Sequence, residues 1–286
     1  MSKAIHNLIP VPISKSRLIG NFPKRPNDSH KGLFGTVAVI GGASGMIGAP
    51  LLAARAALKL GAGCVHVGML AENAPTLDLQ QPELMLHSAL IALRLPNMDV
   101  YAIGCGLGTS IASQKLLFES LKRNTALVLD ADALNLLSCH ADLQEDLRNR
   151  KAATILTPHP GEAARLLECN IDEIQADRVT AVNNLSNKFA CNIVLKGAGS
   201  LCITSDRQLF INTTGNPGMS SAGMGDILAG IIAAFIAQGM CARDAMLLAV
   251  HLHGAAADAL AQQQATIGMS ATEVTEWARW LLNKWL

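Results

Sequence analysis

The sequence predicts an α/β fold in which a mainly parallel sheet lies between two layers of helices. Three observations carry that prediction. Short apolar runs of strand length alternate with helix-length stretches, as "GTVAVIGG" is followed by "APLLAARAALKLG". The strand-like runs are continuously apolar, as a sheet covered on both faces requires. Several of them end in glycines or polar residues: GGASG, GCGLG, DAD, TPHPGE and KGAGS. In a parallel sheet such ends share one rim, and ligands bind along it.

Residues 1–29 read as a polar N-terminal extension, with a first helix near "ISKSRLIG" and a loop through "PKRPNDSHKG"; residues 30–286 read as one domain. The first strand of that domain, "GTVAVIGG", runs into a glycine loop, and the helix after it ends at Gly61. "CVHVGML" and "VYAIGCGLG" are the next two strands, the latter leading to the helix "SQKLLFESLKR". "ALVLDADALNLL" reads as a fourth strand closed by two acids, and "TILTPHPGEAARLL" as strand, loop and helix. "NIVLKGAGSLCIT" reads as two strands joined by a glycine turn. Helices are predicted over 226–238, 243–263 and about 271–286, the last opened by the capping-box pattern of Ser270 and Glu273. Trp277, Trp280, Leu281 and Trp285 fall near one stripe of it, which suits core or oligomer packing.

The chain has 286 residues, half of them hydrophobic, with net charge +1 and 3% aromatic content. That balance argues against nucleic acid as the main partner, since such proteins carry basic surfaces and stacking rings. Seven cysteines without a CxxC indicate reduced thiols, and hence a cytoplasmic protein without a structural zinc. His251 and His253 in "HLH" stand two apart and face different sides of a helix, so they form no metal pair. The N-terminus has no secretory h-region, and the longest apolar stretch, "ILAGIIAAFIA", is too short to span a bilayer.

The chemistry gathers at the rim. "GGASGMIG" has the wrong spacing for a dinucleotide fingerprint, and no GK[ST] follows to make a P-loop, yet a glycine loop before a helix can still cradle an anion. In "GNPGMSSAGMGDILAG" the glycines and small residues lead directly into an apolar helix. There the amides of Gly223 to Gly225 and of the first turn form an anion hole supported by the helix dipole. Asp226, at its edge, is placed to take a proton from a hydroxyl as a phosphoryl group arrives. A plain N-cap would account for the acid but not for the small residues ahead of it. Asp130 and Asp132 either hold Mg²⁺ through water or form a strand-end turn in which one of them caps. Lys196 in "KGAGS" suits a nucleotide's phosphates, or else sits solvated on a hairpin turn. His159 lies between prolines outside any apolar stripe, which favours ligand contact, and Glu162 opens the following helix.

Taken together, the segments "HKGLFGTVAVIGGASGMIGAPLLAARAALKLGAG", "IGCGLG", "VLDADALNLL", "LTPHPGEAARLL", "VLKGAG" and "NTTGNPGMSSAGMGDILAGI" resemble, in order, those of the ADP/ATP-dependent NAD(P)H-hydrate dehydratases of the ribokinase-like superfamily. The resemblance covers nearly the whole chain from residue 30. It implies a ribokinase-like three-layer sandwich and repair of hydrated NADH or NADPH (NADHX, NADPHX), with ADP or ATP consumed and Mg²⁺ bound alongside the nucleotide. It also implies that Ala49, Gly106 and His159 contact the hydrate and that Lys196, Gly197, Ala198, Gly199 and Ser200 form the nucleotide segment. Gly225 then contacts nucleotide, Asp226 is the acid–base residue, and Glu162 stands near the metal. Assembly as a homotetramer and a separate epimerase partner are further implications, since residues 1–29 are too short for an epimerase domain. Cys105 stands where the family usually shows proline and Ala222 where glycine is common, changes read as affecting loop stiffness. The competing readings are a ribokinase-like vitamin kinase acting on a small alcohol and a non-catalytic nucleotide sensor.

Overall fold

The computed structural model describes residues 9–286. Its ten strands form one sheet. The chain enters through β1 (Val11–Pro12) and α1 (Lys15–Gly20), then builds β2 (Thr36–Gly41), α2 (Gly48–Lys59) and β3 (Cys64–Met69). The outer edge follows as β4 (Met85–Ser88) and α3 (Ala89–Arg94), before β5 (Val100–Ile103), α4 (Ile111–Leu121) and β6 (Ala126–Leu129). Two short helices, α5 (Asp132–Cys139) and α6 (Ala141–Arg148), lead to β7 (Thr154–Leu156). Three more, α7 (Pro160–Leu167), α8 (Ile171–Ala176) and α9 (Arg178–Phe189), lead to β8 (Asn192–Leu195). Strands β9 (Leu201–Ile203) and β10 (Leu209–Ile211) precede the helices α10 (Met224–Ala237), α11 (Ala242–Gln263) and α12 (Ala271–Trp285).

The sheet order is β1-β10-β9-β8-β7-β6-β5-β2-β3-β4. Only β9 runs against the rest, because β8 and β9 are joined as a hairpin by the KGAGS turn. Alternating side chains divide each strand between two cores. Val37, Val39, Val65, Val67 and Val100 pack beneath α2, α10, α11 and α12, whereas Ala38, Ile40, Tyr101 and Ile103 pack beneath the helices α3 to α9. This is the three-layer sandwich that the continuous apolar strands require. The first helical layer is tight: a Cβ on Gly230 of α10 would lie 2.0 Å from the Ala53 carbonyl oxygen of α2, so backbone meets backbone there.

Residues 9–29 are built into the same fold. β1 pairs in parallel with β10, Phe22 meets Phe235 edge-on at 5.4 Å, and Arg25 donates to the Gly61 carbonyl and to Gln238. The Ser270–Glu273 capping box forms as its pattern predicts, and Trp277 and Trp285 pack on the core while Trp280 stays half exposed. Two boundaries differ from expectation. "ALVLDADALNLL" is not a single strand: the backbone turns at Ala131 (φ +48°), and α5 begins at Asp132. Helix α10 begins at Met224 with Gly223 (φ +87°) as its N-cap, two residues earlier than the acid suggests. Among the described residues no helix is long and apolar enough to cross a membrane.

Candidate active site

The carboxyl ends of β2, β5, β6, β7 and β8 line up along one rim, with the start of α10 lying over them. Because α10 begins at Met224, Asp226 is its third residue rather than its cap. The first-turn amides of Met224, Gly225 and Asp226 are those that no helix carbonyl can satisfy. Gly223 must be glycine for two reasons: its φ is positive, and a Cβ there would lie 2.6 Å from Leu52 Cδ1.

The carboxylate of Asp226 converges with Asp130 and the thiol of Cys105, one ligand atom of each lying within 4.8 Å of the others. Burial and the Asp130 charge push the Asp226 carboxyl up to about 6, against the Cys105 thiol and the Lys196 ammonium. The Cys105 thiol is fully buried, and burial followed by the charges of Asp226 and Asp130 drives its pKa far upward, so it stays protonated. Cys105 is therefore part of the acidic cluster, a role that goes beyond loop stiffness.

The two acids of the DAD turn have separate tasks. Asp132 is structural: it accepts from the Gly108 amide at 2.8 Å and from Asn135 Nδ2 at 3.1 Å. Asp130 is buried at the centre, where its Oδ1 accepts from Thr157 Oγ1 at 2.8 Å and from Lys196 Nζ at 2.6 Å. The positive φ at Ala131 turns one acid toward the rim and the other into α5.

Lys196 is thus no solvated turn residue. Its ammonium reaches Asp130 and, at 3.8 Å, Glu162. Burial opposes its charge, but the two carboxylates hold its pKa above the ordinary lysine value. Glu162 is 4% exposed, and burial pushes its carboxyl up to about 7 despite Lys196. It closes a capping box with His159: Glu162 Oε2 accepts from the His159 amide at 2.7 Å, while His159 Nδ1 accepts from the Gly161 amide at 3.0 Å. His159 is therefore a helix cap whose imidazole is still half exposed at the rim; burial and Lys196 lower its pKa.

Ala49, in the first turn of α2, meets Gly106, in the loop after β5. A Cβ on Gly106 (φ +60°) would lie 3.2 Å from Ala49 Cβ and 2.6 Å from the Met46 carbonyl oxygen, so only glycine lets these loops meet. Gly225 lies against the acidic centre: a Cβ there would stand 3.1 Å from Lys196 Nζ and 3.3 Å from Asp130 Oδ2, a tight contact that those side chains would have to yield to.

Beyond Gly225 opens a cavity of about 720 Å³. Its walls include Lys196 to Ser200, the segment 211–217, Met224, Leu228 and, on α11, Val250, His253 and Gly254. Ala49, Gly106 and His159 lie outside it, so the predicted site residues divide into two neighbourhoods that meet at Gly225, Lys196 and Asp226. Cavities of this size hold small-molecule ligands. Burial and Lys196 lower the His253 pKa to about 4, so its ring is neutral, and among the described residues its Nε2 has no hydrogen-bond partner. Sequence reasoning passed over Cys105, Thr157 and His253 as functional candidates. Cys105 lies two residues beyond β5 and Asp130 one residue beyond the neighbouring β6, so both stand at the rim, which was the available signal.

A family model described as NAD(P)H-hydrate dehydratase matches residues 37–279. The chain belongs to the NAD(P)H-hydrate dehydratase family. The ADP-dependent (S)-NAD(P)H-hydrate dehydratase of Neisseria meningitidis is 43% identical over 267 residues, which cover 92% of this chain and 90% of that protein. The bifunctional NAD(P)H-hydrate repair enzyme of Coxiella burnetii is 42% identical over 91% of this chain and 53% of its own length, so the chain spans about half of that relative. The crystal structure of the ADP/ATP-dependent NAD(P)H-hydrate dehydratase of Bacillus subtilis, co-crystallized with ATP/Mg²⁺, superposes with a TM-score of 0.87 at 27% identity, covering 98% of this chain and all of that one. The ribokinase-like architecture follows from this family and agrees with the layers and strand order.

Proposed function

We propose that the protein is a hydro-lyase that uses ADP, with ATP as an alternative donor, to dehydrate the S-epimer of hydrated NADH or NADPH. The observation that carries this reading is the position of Asp226, an acid held to a pKa of about 6 at the junction of the rim loops and the nucleotide-sized cavity.

A hydroxyl leaves a ring poorly, and phosphorylation makes it a good leaving group. With nucleotide in the cavity, its terminal phosphoryl group meets the first-turn amides of α10 at Gly223 to Gly225. Those amides and the helix dipole stabilise the charge that develops on the transferring oxygens. Asp226 takes the proton as the hydroxyl oxygen attacks phosphorus, and the bond from phosphorus to the leaving phosphate of AMP breaks. The new phosphate ester then loses phosphate with its bonding pair, and a proton leaves the neighbouring ring carbon, which restores the dihydropyridine. The products are NAD(P)H, AMP and phosphate.

Lys196 balances Asp130 and Glu162, so the centre does not repel the incoming phosphates. The carboxylate oxygens of Asp130 and Asp226 fit a magnesium ion held largely through water, whereas a protonated Cys105 thiol adds no ligand for such a hard cation. When bound, that ion neutralises phosphate charge. The carboxylate of Glu162 is engaged by the His159 amide and faces Lys196, which supports a supporting role near the metal rather than the leading one. Ala49, Gly106 and the exposed face of His159 form the hydrate side, and Lys196 to Ser200 the nucleotide side. A homotetramer and cooperation with an epimerase of the same repair route belong to this reading; the double length of the bifunctional relatives supports the latter.

The vitamin-kinase alternative shares Asp226 and its anion hole but releases a phosphorylated product. Absorbance at the reduced-nicotinamide band separates the two when hydrated NADH is mixed with protein, Mg²⁺ and either ADP or ATP. A rise that requires nucleotide is the expected result, and the faster nucleotide identifies the donor. A flat trace from protein that binds nucleotide would overturn the dehydratase reading.

A further inference from the structure

Arg178 lies outside both the acidic cluster and the cavity wall, yet it is fastened to the loop between them. It is the first residue of α9, whose N-cap Asp177 accepts from the Thr180 amide at 2.9 Å. Its Nη2 donates to the Leu195 carbonyl at 3.1 Å and to the Lys196 carbonyl at 3.2 Å, and its Nη1 donates to the Ala198 carbonyl. The KGAGS loop is therefore shaped around a guanidinium. Gly197 (φ +142°) completes the fit, since a Cβ there would lie 3.0 Å from Arg178 Nη2.

The consequence follows from peptide geometry. A peptide unit is planar and trans, so a carbonyl fixed in one direction sends the next N–H in the opposite one. Holding the Ala198 carbonyl on Arg178 turns the Gly199 N–H away from the guanidinium. Holding the Gly197 carbonyl on Ser200 Oγ, at 3.0 Å, turns the Ala198 N–H away from that hydroxyl. Among the described residues neither amide finds an acceptor. Ala198 and Gly199 both line the cavity, and Arg178 does not. Successive free amides of this kind form an anion-binding concavity.

We propose that Arg178 is the positioning residue of the nucleotide loop, fixing its carbonyls from behind so that the amides of Ala198 and Gly199 meet the phosphates of the bound nucleotide. The inference rests on reading the cavity as the nucleotide site. A lysine cannot replace Arg178, because three carbonyls in a fixed fan match a planar fork and not a single ammonium.

The test compares Arg178→Lys and Arg178→Ala with wild type in steady-state kinetics and in calorimetric titration with ADP. Both variants are expected to raise the KM and Kd for ADP by roughly tenfold or more, as loss of charge-assisted hydrogen bonds implies. The kcat and the KM for the hydrate should stay within about threefold, and added guanidinium ion should restore ADP affinity to Arg178→Ala. A lysine variant with wild-type ADP affinity would overturn the proposal, as would a loss shared equally by ADP affinity, kcat and hydrate KM. Should the variants fail to fold, amide exchange in wild type decides: ADP should slow exchange at Ala198 and Gly199, and unchanged exchange with ADP bound would overturn the proposal. Wild-type protein that binds no ADP at all would instead remove the nucleotide reading, and this inference with it.

Discussion

The two neighbourhoods of the site are built on opposite terms. The acidic centre packs Asp130, Asp226, Glu162 and Lys196 into buried surroundings, where burial and neighbouring charges shift the carboxyls of Asp226 and Glu162 and the ammonium of Lys196. The adjoining cavity is walled by glycine loops, apolar side chains and uncharged polar ones such as Asn212 and Thr214, and among the described residues only Lys196 and His253 on its walls are titratable. In the proposed reading a proton moves on the first side and the nucleotide lies on the second. Lys196 belongs to both, its main chain to the cavity and its ammonium to the centre.

Substitutions should therefore separate by neighbourhood. Lys196→Met leaves two buried carboxylates without their cation, and breaking such a pair costs about 3 kcal/mol. We expect kcat to fall on the order of 100-fold, with a clear drop in Tm, both read in parallel with nucleotide affinity. On the cavity side, Gly254→Ala would place a Cβ 2.3 Å from Thr214 Oγ1 and 2.7 Å from the Thr214 carbonyl carbon. The displaced wall should raise the nucleotide KM roughly tenfold while kcat changes little. His159→Ala removes the exposed imidazole and a helix cap together; the hydrate KM should rise several-fold and the nucleotide KM should not, with about 1 kcal/mol of stability lost. A hydrate KM left unchanged would return His159 to capping alone.

The smallest effect concerns pH. The folded-state pKa of Asp226 is raised, to about 6 from an ordinary 3.8, so the native state binds this proton more tightly than the unfolded chain. Its contribution to stability is full below about pH 4 and is lost as pH rises through about 6. Asp226→Asn should thus raise the Tm by a few degrees at pH 8 and by less at pH 4, measured without nucleotide. The same pKa places the acid limb of wild-type kcat/KM near pH 6, because that ratio reports the free protein, in which the proposed base must be ionised.

Much of this was legible in the sequence for physical reasons. Buried parallel strands read as apolar runs, and the glycines at their ends mark the rim. Helix α10 was visible because nearly all of it is apolar, and the glycines before it mark a start where Gly223 takes a positive φ and Gly225 lies close to Lys196 and Asp130. The short helices α5, α6 and α8 were hidden, since each has about two turns, whereas α9, as long as α2, was hidden because polar residues outnumber its apolar ones. With α9 went Arg178, although "DRVT" held its capping pair. The division between Asp130 and Asp132 depends on one positive φ at Ala131, which no residue type announces. Cys105 was read as a loop residue because its thiol gains meaning only from the carboxylates that the fold brings beside it.

The central claim is that Asp226 moves the proton and does not build the nucleotide site. It is tested most directly by measuring turnover and ADP affinity together in Asp226→Asn. The account predicts that nucleotide-dependent regeneration of reduced nicotinamide falls by roughly 10²–10⁴-fold while the Kd for ADP stays within a few-fold. Turnover near the wild-type rate would contradict it, and so would an ADP affinity that collapses along with the activity.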